Sequence, residues 1–134
     1  MEDIGFGMED KDMNYEELDV YKKSHNFVLE IYKITKTFPN DEKYRLVDQL
    51  TRAAYSIPSN IAEGNSRNTT KEYINFLYMA RGSANEIKYF LLLSKDLNYI
   101  NEETYSKLKN KIVIIITLLN GLTNSLRGKL NERN

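Results

Sequence analysis

The sequence predicts an all-α fold, an antiparallel up-down-up-down four-helix bundle. Apolar residues recur at three- and four-residue spacing in four separate stretches, the period of amphipathic helices. Start and stop residues punctuate those stretches, and connections of about three to five residues favour antiparallel neighbours. No period-two strand pattern and no internal repeat occurs, and 134 residues suit one domain with one core.

Residues 1–14 mix acids with glycine and scattered single hydrophobes. They show no period and are expected to form a disordered acidic tail. The bundle domain is expected over residues 15–128, with 129–134 as a frayed tail. Helix one spans about residues 19–37, with Tyr21, Phe27, Val28, Ile31, Ile34 and Phe38 on its apolar face. Proline disfavours helical geometry in the residue before it, so Phe38-Pro39 ends that pattern; Asn40, followed by Asp41 and Glu42, makes a good start for helix two.

Helix two continues through Leu46, Leu50, Ala53, Ala54, Ile57 and Ile61 to Gly64, read as a left-handed residue just past its end. Pro58 cannot donate to the Ala54 carbonyl and crowds it, which predicts a kink or short break, with Ser56, Ser59 and Asn60 available to rebond freed groups. Thr69 and Glu72 have the spacing of a capping box. Tyr73, Phe76, Leu77, Ala80, Ala84, Ile87, Phe90 and Leu91 then carry helix three to about Leu97. Asn101, before Glu102 and Glu103, opens helix four, whose core stripe is Tyr105, Leu108, Ile112, Ile115, Leu119, Leu122 and Leu126. Fraying is expected after Arg127.

Composition narrows the function classes. Cysteine is absent, so disulfides and thiolate metal sites are excluded, and no apolar run near the amino terminus resembles a signal peptide. The longest apolar stretch, Ile112 to Leu119, is far short of the ~20 residues a membrane-spanning helix needs. A soluble, cytoplasmic protein with no membrane partner is expected. The formal net charge is zero, yet residues 1–20 hold eight acids and only Lys11, leaving 18 basic and 11 acidic residues from 21 onward. That excess permits a polyanionic partner and is more dispersed than a dedicated nucleic-acid footprint.

Three groups of residues stand out. Val113, Ile114, Ile116 and Leu118 make helix four apolar on nearly every side. Leaving such side chains in water would sacrifice about 1.5–3 kcal/mol each, which points to burial in a homo-oligomer, the alternative being deep insertion in the chain's own bundle. The ten tyrosines fit bundle edges or interfaces equally. Lys107, Lys109, Lys111, Arg127, Lys129 and Arg133 against Glu132 give residues 104–134 an excess of five positive charges. In a ring this excess would be repeated around an axis and could meet RNA; the competing reading is a solvated helix face. Arg52, Asn60, Glu63 and Arg67, with Glu86, could form a polar pocket, or a structural network in which arginine and glutamate satisfy each other.

Nothing in the sequence points to catalysis. A di-iron carboxylate bundle needs Glu-x-x-His on two helices, whereas His25 is the only histidine. No nucleophile comes with an identifiable base, and the glycines match no phosphate-binding or dinucleotide fingerprint. No enzyme activity, cofactor or metal is expected.

The run Ser56-Ile57-Pro58-Ser59-Asn60-Ile61-Ala62-Glu63-Gly64 and the run Glu72-Tyr73-Ile74-Asn75-Phe76-Leu77 with Ala80-Arg81-Gly82-Ser83 follow, in order, Leu18-Asp19-Val20-Tyr21, Phe38-Pro39, Gln49-Leu50 and Arg52-Ala53-Ala54. Together, over about residues 18–125, they resemble the four-helix bundle family also called the 23S rRNA intervening-sequence protein family. The resemblance implies a bacterial four-helix bundle that forms a ring, commonly a pentamer. The family takes its name from genes inside insertions in 23S ribosomal RNA genes, which is a genomic position and not an activity. A similar bundle, the accessory protein of diversity-generating retroelements, is a basic ring that works with a reverse transcriptase and nucleic acid; this chain is less basic. The expected function is a non-enzymatic homo-oligomeric scaffold or adaptor. The alternative is an RNA-binding accessory factor using a basic face of the ring.

Overall fold

The computed structural model of the chain describes residues 14–132. The disordered tail expected over residues 1–14 lies outside the described residues except for Asn14, which is ordered as a cap. A short 3-10 turn, Tyr15–Glu17, opens the described chain, capped by the Asn14 side chain, which accepts the Glu16 N–H at 3.0 Å. Four helices follow: α1 Asp19–Thr35, α2 Leu46–Asn65, α3 Thr70–Asp96 and α4 Glu102–Glu132. Among the described residues there is no strand.

Helix α1 buries Val20, Phe27, Val28 and Ile31, with Tyr21 and Ile34 packed at the margin. The chain does not enter α2 at Asn40. Asn40–Glu42 forms a separate 3-10 turn, and Arg45 at φ −123°, ψ −103° breaks it from α2. The physical reason is Glu42, whose carboxylate turns inward and accepts the Leu46 N–H at 3.3 Å, supplying an acceptor to the first turn of α2.

The short break foreseen at Pro58 does not occur, since α2 runs unbroken to Asn65. The neighbouring polar side chains bond carbonyls one turn back, Ser56 Oγ to Arg52 O at 2.7 Å and Asn60 Nδ2 to Ser56 O at 2.8 Å, and not the Ala54 carbonyl. Gly64 lies inside the helix and not beyond it; the end is made by Ser66, whose hydroxyl and N–H both bond the Glu63 carbonyl.

The capping box forms as the spacing predicts, with Thr69 Oγ1 accepting the Glu72 N–H at 3.1 Å. At the far end of α3, Asn98 adopts φ 65°. The Asn98 N–H bonds Lys95 O at 2.9 Å and the Tyr99 N–H bonds Ser94 O at 2.8 Å, the Schellman pattern that satisfies the last carbonyls. Asn101 caps α4 by accepting the Thr104 N–H at 2.8 Å. Helix α4 continues to Glu132, past the fraying expected after Arg127.

Each helix packs most closely on its neighbour in sequence, and α1 also touches α4, which closes the four into a bundle. Contacts across the α3–α4 seam fix the direction: Lys95 reaches Glu102 at 3.7 Å, Arg81 reaches Asn120 at 3.1 Å, and Arg127 reaches Tyr78 at 3.1 Å. Positions fall along α3 as they rise along α4, so the two are antiparallel. The α2–α3 connection, residues 66–69, is too short to let neighbours of 20 and 27 residues run any other way. The core is a column of Leu50, Ala54, Ile57, Ile61, Leu77, Ala80, Ala84, Ile87, Leu91, Ile112 and Leu119, all with essentially no exposed surface.

The α1–α2 and α3–α4 connections meet at one end of the bundle. There the Tyr99 hydroxyl donates to Glu42 Oε2 at 2.7 Å, and the Phe38 and Tyr99 rings lie 5.2 Å apart. The Tyr99 hydrogen bond holds the Glu42 carboxyl below its ordinary value of 4.5, aided by the Leu46 N–H and by Arg45 and opposed by desolvation. The same bond raises the Tyr99 hydroxyl above its ordinary value of 10.0. A depressed carboxyl contributes stability that is present above its unfolded pKa and lost as pH falls through the folded value; a raised phenol contributes stability that is lost as pH climbs through its folded value. Thermal unfolding measured against pH should therefore fall off on an acid limb below pH 4.5 and on an alkaline limb above 10. Glu42→Gln and Tyr99→Phe should each flatten the limb of the group they remove, and unchanged limbs in both variants would show that this contact does not couple the two connections.

Candidate functional site

The foreseen polar group of Arg52, Asn60, Glu63, Arg67 and Glu86 does not come together as one pocket. Arg52 pairs with Asp48 at 3.8 Å along its own helix, Asn60 bonds Ser56, and Glu86 stands exposed on α3. Glu63 and Arg67 do meet, at 2.6 Å. Arg67 turns back from the α2–α3 connection, and its guanidinium lies 4.7 Å from the centre of the Phe76 ring.

Beside that pair, a Cβ on Gly64 would stand 2.8 Å from Phe76 Cβ and 2.9 Å from Tyr73 Cδ1. These are positions near the root of side chains fixed on α3, with no room to give. This corner holds two helices together. Among the described residues no group of three histidine, cysteine, aspartate or glutamate side chains could hold a metal ion, and His25 is exposed on α1.

The structure divides the cations of α4 between two seams. Lys107 and Lys111 turn towards α1, where with Glu30, Lys33, Ile34 and Leu108 they line an open groove of about 630 Å³. Lys111 is 2.6 Å from the Glu30 carboxylate, so the only acid lining this groove already has a partner. Lys129 lies five helical turns beyond Lys111 and falls on the same side of α4. Lys109 and Arg127 turn towards α3 instead: Lys109 stands 5.7 Å from the centre of the Tyr105 ring, which also carries Lys95 of α3 at 4.9 Å, and Arg127 Nη1 donates to the Tyr78 hydroxyl at 3.1 Å.

The α3–α4 seam contains residues that reading α4 by itself overlooks. Arg81, Lys88 and Lys95 recur every seven residues, two helical turns, on the face of α3 that meets α4. That seven-residue repeat was the available signal. The apolar residues foreseen at an interface also divide: Ile116 and Leu118 pack partly against the chain's own core, while Val113 and Ile114 are 40% and 48% exposed.

Residues 16–121 match the family described as 23S rRNA-intervening sequence protein. The chain belongs to that family. A crystal structure at 1.70 Å of a protein of unknown function from the S23 ribosomal protein family of Bacteroides thetaiotaomicron is similar, with 31% identity and a TM-score of 0.73. The similarity covers 78% of this chain and 95% of that one. No curated protein matches the chain. The 23S rRNA-intervening sequence match begins at the first 3-10 turn and spans α1, α2, α3 and most of α4, so it includes the Gly64 corner and both seams apart from Arg127 and Lys129. No helix among the described residues is long and apolar enough to cross a membrane.

Alanine favours a helix over glycine by about 0.5–1 kcal/mol, so Gly64 is retained at a cost to helix propensity. Overpacking a core position costs about 1–3 kcal/mol, and the close contact at Gly64 therefore outweighs the gain. Gly64→Ala should lower the stability of the bundle by the difference, about 0.5–2 kcal/mol, read as a lower urea midpoint. A midpoint at or above that of the parent would show that α2 and α3 can separate here at no cost.

Proposed function

We propose that this protein is a non-enzymatic homo-oligomeric scaffold or adaptor of the bacterial cytoplasm. Its ring would have the five subunits that the family resemblance implies. The observation that carries the reading is the pair Val113 and Ile114, half exposed in the middle of α4, with Leu29 on α1 55% exposed. Adjacent β-branched residues at mid-helix have no reason to face water when their own bundle already owns a complete core column. Full burial of each such side chain is worth about 1.5–3 kcal/mol, so covering the remaining half of two or three of them across several interfaces of a ring adds up.

The outward line Val113, Thr117 and Gly121 recurs every four residues and is exposed throughout. It presents small and β-branched side chains to which another helix can come close.

Light scattering coupled to gel filtration tests the reading. The parent protein should elute as a multiple of its 15.7 kDa chain, near five copies. The double variant Val113→Lys with Ile114→Lys should fall to a monomer with unchanged helical circular dichroism. A parent that is monomeric at tens of micromolar would overturn the proposal.

A further inference from the structure

The arginines of this molecule are held in two ways. Three of the arginines among the described residues stand within 4 Å of a carboxylate: Arg45 with Glu42 at 3.9 Å, Arg52 with Asp48 at 3.8 Å and Arg67 with Glu63 at 2.6 Å. The two on the α3–α4 face are held differently. Arg81 Nη1 donates to the Asn120 amide oxygen at 3.1 Å and its guanidinium lies 4.8 Å from the centre of the Tyr78 ring; Arg127 Nη1 donates to the hydroxyl of the same tyrosine.

An amide, a phenol and a ring face orient a guanidinium without cancelling its charge. Each fork is left with donors for a second, anionic partner. Between them and the top of the seam stand Lys88 and Lys109, and α4 has no acidic residue from 104 to 131. Glu86 of α3 sits two residues before Lys88, about 200° away around the helix. The acids on this face, Asp96 and Glu102, are confined to one end, where both lie within 4 Å of Lys95. From Tyr78 to Lys95 the strip is about 26 Å long. Tyr89, 57% exposed, follows Lys88 in sequence, stands 100° further round α3 with Glu86 one turn before it, and adds an open aromatic face.

We infer that the α3–α4 face binds single-stranded nucleic acid, with Arg81, Lys88, Lys109 and Arg127 on successive phosphates and Tyr89 stacking on a base. Pre-oriented, unneutralised cations in a row match the spaced monoanions of a phosphodiester backbone. The aromatic side chain beside them matches a base, which an acidic protein would not supply. The inference goes beyond the scaffold reading and is argued from different side chains: Ile114 lies towards α1, beside Glu30 and Lys111, whereas Val113, two turns before Asn120, borders the α3 side of α4.

The test is fluorescence anisotropy of the full chain with labelled 20-nucleotide oligouridylate and oligothymidylate, titrated from 50 to 300 mM salt. With four phosphate contacts on a single strand, the logarithm of affinity should fall against the logarithm of salt with a slope of about −2.8. Arg81→Ala with Arg127→Ala should reduce that slope by about 1.4 while leaving the assembly mass of the parent, and Tyr89→Ala should weaken binding about five-fold or more. Arg52→Ala, whose charge is already paired, should bind like the parent. Preference for the uridylate over the thymidylate strand would assign the face to RNA, and equal binding to single strands in general. The inference is overturned by no binding at 50 mM salt, by an Arg81 and Arg127 double variant that binds with the parent's slope, or by polyglutamate that competes as well as the oligonucleotide at equal charge.

Discussion

The close approach of α2 to α3 is the constraint on which the rest of the bundle depends. A four-residue connection leaves little freedom to choose where the second helix returns, and Gly64 settles it by letting the backbone of one helix meet Phe76 and Tyr73 of the other. Once that contact is made, the register of Leu50, Ala54, Ile57 and Ile61 against Leu77, Ala80, Ala84 and Ile87 follows. Arg67 then folds back over Phe76 onto Glu63. The motif most visible in the sequence, Ser56 to Gly64, is thus a packing device at a helical corner, and its polar residues serve the helix that carries them.

Helix number, order and core faces were legible because they rest on local periodicity. The stripes read from α3 and α4 are largely the buried columns, and Thr69 with Glu72 and Asn101 with Thr104 make the caps their spacing implies. The misreadings share a cause, which is that a long-range partner decides a local feature. Asn40 has the chemistry of a helix start, yet Glu42 reaches inward to Leu46 and to Tyr99, far along the chain, and the start moves. Gly64 resembles a terminating glycine until α3 is placed beside it. Pro58 lies inside a helix that runs without the short break, on a segment packed against both neighbouring helices.

The candidate site was less legible for the same reason. Counting cations along α4 finds Lys107, Lys109, Lys111, Arg127 and Lys129 in one list, but a helix turns 100° per residue and distributes them to two seams. Only the pairing of α3 with α4 brings Arg81 to Asn120 and Arg127 to Tyr78. The same pairing separates arginines held by neutral groups from those held by carboxylates, a distinction of partners that no composition or net charge contains. Apolar surface behaves alike: of four residues that make α4 hydrophobic all round, the seams absorb two and leave Val113 and Ile114 outside.

The ring of contacts has one distant closure. Helices next to each other in sequence are next to each other in space at three seams, whereas the α1–α4 seam joins the two ends of the chain, is the sparsest of the four, and opens into the groove around Lys33 and Lys107. Contacts local in sequence cost little loop entropy to form, and a bundle dominated by them folds on the microsecond to millisecond scale. Assembly order follows from that geometry. The α2–α3 hairpin can associate first, α4 adds to it, and the first and last helices meet at the end, across Glu30 and Lys111. The seam that closes last on folding is also the one that parts with least loss, so amides of α1 are placed to exchange with solvent sooner than those of α2 or α3.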